Sequence, residues 1–187
     1  MLARNSRQKS GNIPVFTWLV LPLVAIVCLQ SLFAPDLAAK PLKVGELPPE
    51  MIWVTVSGDS LTWDELQNDR PLVMVFWATW CHVCKKEWPK LQEIYEDHEA
   101  AENAATWASV SLGEPAEKVL TVARERNLPG VTLADPQEVN GKVLGIDYVP
   151  AMCVLAPSGE VAYMGPTNIK KLKKLLKRFA AAGPAKE

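Results

Sequence analysis

A nearly continuous apolar run, Pro71–Ala78, ends three residues before a pair of cysteines, Cys81 and Cys84. The run is rich in valine and aromatic residues, which is typical of a strand buried on both faces of a sheet. From Cys84 onward the apolar residues recur at helical spacing instead. The sequence therefore predicts that the two cysteines lie where a buried strand meets the N-terminus of a helix.

The rest of the pattern continues this alternation of strands and helices. Strands are predicted within 105–112, 130–135 and 151–165, the last as two strands joined at Pro157-Ser158-Gly159, and helices within 63–69, 114–127, 136–145 and 169–179. This order of elements indicates an α/β sandwich. Its mixed sheet is expected to be parallel in the first half, closed by an antiparallel hairpin and flanked by helices.

The N-terminal part of the chain predicts export. Basic residues precede Ile13–Phe33, which carries no charge and is long enough, at about 1.5 Å per helical residue, to span a bilayer core of about 30 Å. Basic residues on the N-terminal side place that end in the cytoplasm and everything after the segment outside. A cleaved signal peptide is the alternative, since small residues follow the segment.

The predicted organisation follows from that segment. It consists of a cytoplasmic N-terminus (1–12), one N-terminal transmembrane helix or signal sequence (13–34), a linker (35–50), a folded domain (51–182) and a C-terminal tail (183–187). The chain has a net charge of −1 and 49% hydrophobic residues. This balance is typical of a globular protein and predicts no nucleic-acid partner.

The spacing of Cys81 and Cys84 allows a zinc site, a structural disulfide or a redox pair. Zinc normally requires two such pairs or added histidines, whereas here Cys28 lies in the predicted membrane segment and Cys153 is far along the chain. A structural disulfide between Cys81 and Cys84 would close a very small loop. It would lower the entropy of the unfolded chain only slightly, so it would add little stability. A helix N-terminus, by contrast, stabilises a thiolate, which is the nucleophile of disulfide exchange. We therefore predict that Cys81 attacks and that Cys84 resolves the mixed disulfide.

The segment Phe76–Leu91 resembles the thioredoxin-fold, membrane-anchored thiol–disulfide oxidoreductases of the TlpA, ResA and DsbE/CcmG group. The resemblance covers about 44–181 and depends on the pattern W-x-x-W-C-x-x-C, on Pro89, and on the step Val149-Pro150. It implies a thioredoxin-like sandwich that carries its two electrons on the Cys81–Cys84 dithiol and needs no other cofactor.

The resemblance also implies roles for residues around the pair. Pro150 would have a cis peptide bond and would shape the groove for a substrate strand, while Val149 would offer its backbone to that strand. Glu87 is expected to handle protons, or else to be an ordinary residue of the first helical turn. From their positions alone, Trp80 is expected to flank the active site, His82 lies between the cysteines, and both are expected to contact the substrate.

Departures from the family leave the direction of electron flow open. Thioredoxin has a buried aspartate on the strand before its cysteines, but Val75 occupies that position here. The dipeptide His82-Val83 favours an oxidant, since a histidine there stabilises the thiolate. The resemblance to membrane-anchored TlpA-like proteins favours a reductant instead. We expect a reductant of exported cysteine-containing proteins in the bacterial periplasm, held at the inner membrane through 13–34 and recharged by a membrane electron donor.

Two alternatives remain open at this point. The chain could be a disulfide oxidant or isomerase, or it could be a Cu(I)-binding module in which Cys81 and Cys84 are joined by His82 or Cys153 as soft or borderline ligands. The simplest interpretation of Cys153 is a buried free thiol on an inner strand. Its other interpretation is a third redox thiol.

Overall fold

The computed structural model of the chain describes residues 42–99 and 104–182. The predicted anchor 13–34, like residues 1–12 and the tail 183–187, lies outside the described residues. Among the helices of the described part, none combines the length and the apolar composition that a membrane span requires.

The described chain follows the predicted order of strands and helices. Its elements are β1 (Trp53–Val54), β2 (Ser60–Leu61), α1 (Trp63–Gln67), β3 (Leu72–Trp77), α2 (His82–Glu99), β4 (Thr106–Leu112), α3 (Ala116–Arg126), β5 (Val131–Asp135), α4 (Val139–Val143), β6 (Ala151–Leu155), β7 (Val161–Pro166) and α5 (Ile169–Ala182). The short helix α1 begins with a capping box, in which Thr62 and Glu65 satisfy each other's backbone N–H groups. This local chemistry explains why so short a helix forms.

Within the described residues, five strands form one sheet in the order β5-β4-β3-β6-β7. Strand β3 is parallel to β4, which is parallel to β5, whereas β6 is antiparallel to both β3 and β7. The central strand β3 is buried along its whole length. The predicted thioredoxin-like α/β sandwich with a mixed sheet is confirmed.

The two faces of the sheet bury separate apolar clusters because side chains along a strand alternate between faces. Val73, Val75 and Trp77 of β3 pack with α2, α3 and α5, on what we call the α2 face. The intervening residues of β3 pack with α1, β1 and Leu144 at the end of α4, on what we call the α1 face. The α2 face includes Cys81 and Cys84.

Segments before β3 form hydrogen bonds to both outer strands of this sheet. The backbone N–H of Gly45 donates to the carbonyl of Val161 at 2.8 Å, and the N–H of Val161 donates to the carbonyl of Glu46 at 2.9 Å. At the other edge, the N–H of Val56 donates to the carbonyl of Thr132 in β5 at 3.1 Å. The described part of the predicted linker is therefore hydrogen-bonded to β7.

Candidate active site

Helix α2 begins directly after Cys81, so the Cys81 sulfur lies at the N-terminus of the helix. The backbone N–H of Cys84 donates to Cys81 Sγ at 3.1 Å, in the way that a serine or aspartate oxygen caps a helix. The free N–H groups and the positive end of the helix dipole favour a negative charge at this point. This geometry favours the thiolate form of Cys81 once the pair is reduced.

Cys81 and Cys84 form a disulfide, with their Cα atoms 5.3 Å apart. Cys81 is 4% exposed and Cys84 is 2% exposed, so both lie below the surface and differ little in burial. They pack in the α2-face cluster with Trp77 and Trp88, whose rings meet edge to face at 5.8 Å. The pair is therefore supported by rigid aromatic packing on the side away from solvent.

The surface around the pair is apolar and open. Trp80, the residue before Cys81, is 63% exposed, and both His82 and Val83 are exposed on the first turn of α2. A contiguous patch of exposed apolar side chains is a common sign of an interaction surface. Trp80 and His82, which are predicted to contact a substrate, are both exposed beside the pair.

The start of β6 lies beside the end of β3, because Phe76 pairs with Ala151 in the antiparallel ladder. The Val149–Pro150 peptide bond that precedes β6 is cis, as the family resemblance implies. Both residues are half-buried, and within the described residues no hydrogen-bond partner is found for the Val149 N–H or C=O. A bound peptide in extended conformation would find these groups available.

Glu87 lies one turn beyond Cys84 on α2. Its side chain is 23% exposed, and one carboxylate oxygen lies 3.2 Å from Nζ of Lys90. The position of the buried aspartate of thioredoxin is occupied by Val75, which packs in the α2-face cluster. A proton carrier for the pair must therefore come from elsewhere than β3, and Glu87 stays the predicted one.

Sequence reasoning did not identify Glu114, which lies just after β4 and is 4% exposed. Its carboxylate accepts hydrogen bonds from the Thr79 N–H at 2.6 Å, from the Thr79 hydroxyl at 2.5 Å and from the Ser111 hydroxyl at 3.2 Å. It also pairs with Nζ of Lys118. Because Thr79 is two residues before Cys81, this carboxylate holds the loop that presents the reactive sulfur.

Opposing effects act on the pKa of Glu114. Burial raises the pKa, but the hydrogen bonds from Lys118 and Thr79 and the charge of Lys118 outweigh burial and hold it below its ordinary value. The carboxylate is therefore ionised at neutral pH, which suits a group that accepts four hydrogen bonds. The spacing of Glu114 and Lys118 at i and i+4 is a sequence signal for part of this arrangement.

Cys153 lies on the α1 face of the sheet, opposite the redox pair, where it is fully buried and pairs in register with Met74. Burial raises the pKa of its thiol to about 12. The interpretations of Cys153 as a third redox thiol or as a ligand beside Cys81 are therefore wrong, since the sheet separates the sulfur atoms. Within 42–99 and 104–182, no cluster of three or more potential metal-ligating side chains occurs.

Comparisons with known proteins show which class of protein the chain resembles. The chain is 27% identical over 165 residues to the thiol–disulfide oxidoreductase ResA of Oceanobacillus iheyensis. The aligned region covers 84% of this chain and 83% of that protein. It is 23% identical over 156 residues to the sporulation thiol–disulfide oxidoreductase A of Bacillus subtilis, covering 81% of this chain and 93% of that protein.

Among solved structures, a thiol–disulfide oxidoreductase from Bacteroides fragilis superposes with a TM-score of 0.64 at 20% identity, over 71% of this chain and 98% of that one. This likeness supports the fold. The predicted resemblance to ResA-like proteins and the predicted class, thiol–disulfide oxidoreductase, are confirmed. The model of the AhpC/TSA family matches residues 34–164, and the chain belongs to that family.

Proposed function

We propose that the chain reduces disulfides in exported proteins through the Cys81–Cys84 dithiol. The observation that carries the exchange chemistry is the position of the Cys81 sulfur at the N-terminus of α2, where it accepts the Cys84 N–H. That position lowers the pKa of a thiol, and the thiolate is the attacking species in exchange. Cys84 is close enough to form a disulfide with it. The resemblance to membrane-anchored TlpA-like proteins supports reduction as the direction of the exchange.

The electrons and protons balance over two steps. The Cys81 thiolate attacks one sulfur of the substrate disulfide, which breaks that bond, forms a Cys81–substrate disulfide and releases a substrate thiolate that takes a proton. Cys84 then loses its proton and attacks Cys81 Sγ, which releases the second substrate thiolate. The substrate gains two electrons, and the chain ends with the Cys81–Cys84 disulfide seen in the structure.

Four residues around the pair would hold the substrate. Val149 would pair its free N–H and C=O with an extended substrate segment, next to the cis bond of Pro150. Trp80 and His82 would cover that segment from either side of Cys81, since both are exposed there. Glu87 would take the proton that leaves Cys84.

The proposed location follows from the sequence. The uncharged segment within 13–34, preceded by basic residues, would anchor the chain in the bacterial inner membrane with the folded domain in the periplasm. A membrane electron donor would return the Cys81–Cys84 disulfide to the dithiol. Cleavage of the segment would give a soluble periplasmic form instead, and washed-membrane fractionation of the native protein distinguishes the two.

The deciding experiment is the reduction potential of the Cys81–Cys84 pair in the purified full-length chain, equilibrated with glutathione or dithiothreitol buffers. A value near about −270 mV, like that of thioredoxin, is expected for a reductant. A value near about −120 mV would make the chain an oxidant and would overturn the proposed direction. A Cys84→Ser variant, which forms no internal disulfide, is the control for the signal.

A further inference from the structure

A small pocket lies between the loop before Cys81 and the loop before Pro150, with a volume of about 90 Å³. The buried residues Ala78, Leu112 and Ile146 form its apolar base, and the exposed rings of Trp80 and Tyr148 stand at its rim. Sites for drug-sized ligands occupy roughly 300–1,000 Å³. The pocket therefore has room for one side chain of a bound peptide and not for a cofactor.

Two carboxylates line the same pocket. Glu138 is paired with Nζ of Lys142 at 3.6 Å, whereas Asp147 is exposed and forms no ion pair with any described residue. Burial raises the pKa of Tyr148, and the negative charge of Asp147 raises it further. The Asp147 carboxylate therefore interacts electrostatically with one of the two aromatic side chains at the rim. The pocket thus combines an apolar base, two aromatic rings and an unneutralised negative charge.

That combination fits one class of side chain. Lysine and arginine bury an apolar stem and keep a charged head at the surface, and their cationic heads are attracted to aromatic faces. An acidic side chain would be repelled by Asp147, and an aliphatic one would gain no attraction from that charge.

We propose that this pocket receives a basic side chain that neighbours the reactive cysteine in the substrate protein. The inference rests on the proposed function. Trp80 immediately precedes Cys81, and Tyr148 lies two residues before Pro150, so a substrate segment placed between Cys81 and Val149 passes the mouth of the pocket. The pocket thereby selects among exported disulfides by the charge beside the cysteine.

The test uses three disulfide-bonded peptides that differ only at the residue next to one cysteine, which is lysine, glutamine or glutamate. The reduced full-length chain is mixed with each peptide, and the second-order rate constant of reduction is measured at low and at high salt. We expect the lysine peptide to react about three- to tenfold faster than the glutamate peptide, with a smaller ratio at high salt. The exposed Lys85 and Lys86 of α2 would favour the glutamate peptide, so this ratio cannot come from them.

The variant Asp147→Asn should lower the ratio between the lysine and glutamate peptides towards the ratio that the same peptides show with dithiothreitol, which measures the intrinsic effect of the neighbouring charge on the disulfide. The matched control is Glu93→Gln, which removes an exposed carboxylate of α2 that faces Lys173 and lies outside the pocket, and it should leave the ratio unchanged. Equal rates for all three peptides in the unmodified chain would overturn the pocket's role while the proposed reductase activity stands. No reduction of any peptide would overturn both.

Discussion

Cys81 and Cys153 are both buried cysteines of one small domain, yet their surroundings make them chemically different. Cys81 lies at the N-terminus of α2, at the end of the sheet where Trp80 is exposed. Cys153 lies within β6, surrounded by apolar side chains on the α1 face, with a thiol pKa raised to about 12. The comparison teaches that the position along a strand or helix, and not burial alone, decides whether a thiol reacts.

The strongest test of this comparison is the loss of each thiol in turn. Cys81→Ser should reduce disulfide exchange to the uncatalysed background, because a hydroxyl at that position is not ionised and is a far weaker nucleophile. Cys84→Ser should instead accumulate a mixed disulfide with the substrate. Turnover of an insulin-type disulfide substrate measures the loss of exchange, and electrophoresis under non-reducing conditions detects the mixed disulfide.

Cys153→Ser is the matched control in that assay and should keep exchange activity, measured at a temperature where the variant is folded. A Cys153→Ser variant that is folded but inactive would show that the two sites are coupled, contrary to the comparison.

The second test is alkylation of the reduced chain at pH 8. The raised pKa keeps the Cys153 thiol almost wholly protonated at that pH, and the surrounding side chains exclude the reagent as well. Cys81 should therefore be modified at least about a hundred times faster than Cys153. Peptide mapping by mass spectrometry follows each cysteine separately, and comparable rates for the two would break the comparison.

The third test concerns how firmly the loop before Cys81 is held. Glu114→Gln removes the charge that pairs with Lys118 and should lower the free energy of unfolding at pH 7 by about 1–3 kcal/mol. The folded pKa of Glu114 is depressed, so its contribution is present above the unfolded pKa of about 4.3 and is lost as the pH falls through the folded pKa. The stability gap, which is the difference in free energy of unfolding between the unmodified chain and Glu114→Gln, should therefore narrow in acid.

Denaturant unfolding at several pH values measures that gap. Glu117→Gln, an exposed carboxylate on the first turn of α3, is the matched control and should show little pH-dependent difference. Glu114 also holds the loop before Cys81, so Glu114→Gln should shift the reduction potential of the Cys81–Cys84 pair. A residue that contributed only to stability would leave that potential unchanged.

The smallest expected effect is that of Cys153→Ala. Removal of one buried sulfur should lower the free energy of unfolding by about 0.5–1.5 kcal/mol, as for other single-atom deletions in a core. The reduction potential of Cys81–Cys84 should not change, because the sheet lies between the two sites. A changed potential would contradict the separation of the two faces.

Local patterns were sufficient to predict most of the fold. The apolar run of β3, the helical spacing of α2 and the stripe of Leu172, Leu175 and Leu176 on α5 each reflect burial on one side or both, and burial determines these elements. The position of Pro115 differs slightly from the prediction. The pattern places it in the first turn of α3, whereas in the structure it is the N-cap residue of that helix.

The parts of the site that depend on distant residues were not predicted. Thr79 and Glu114 are separated by 35 positions, and only the packing of β4 beside β3 brings them together. The pocket beside Trp80 likewise combines residues from Ala78 to Val149. Alternation along β6 places the Cys153 thiol on the α1 face. The sequence alone does not show this, because the face depends on the register in which β6 pairs with β3.

The hydrogen bonds of Gly45 and Glu46 to Val161 have a practical consequence. An uncovered edge strand is a template for pairing with another chain, and these two residues occupy the outer edge of β7 at Val161. A fragment that starts at residue 51, where the folded domain was predicted to begin, would expose the edge of β7. We therefore expect a fragment that begins before Lys43 to self-associate less at high concentration than one that begins at residue 51.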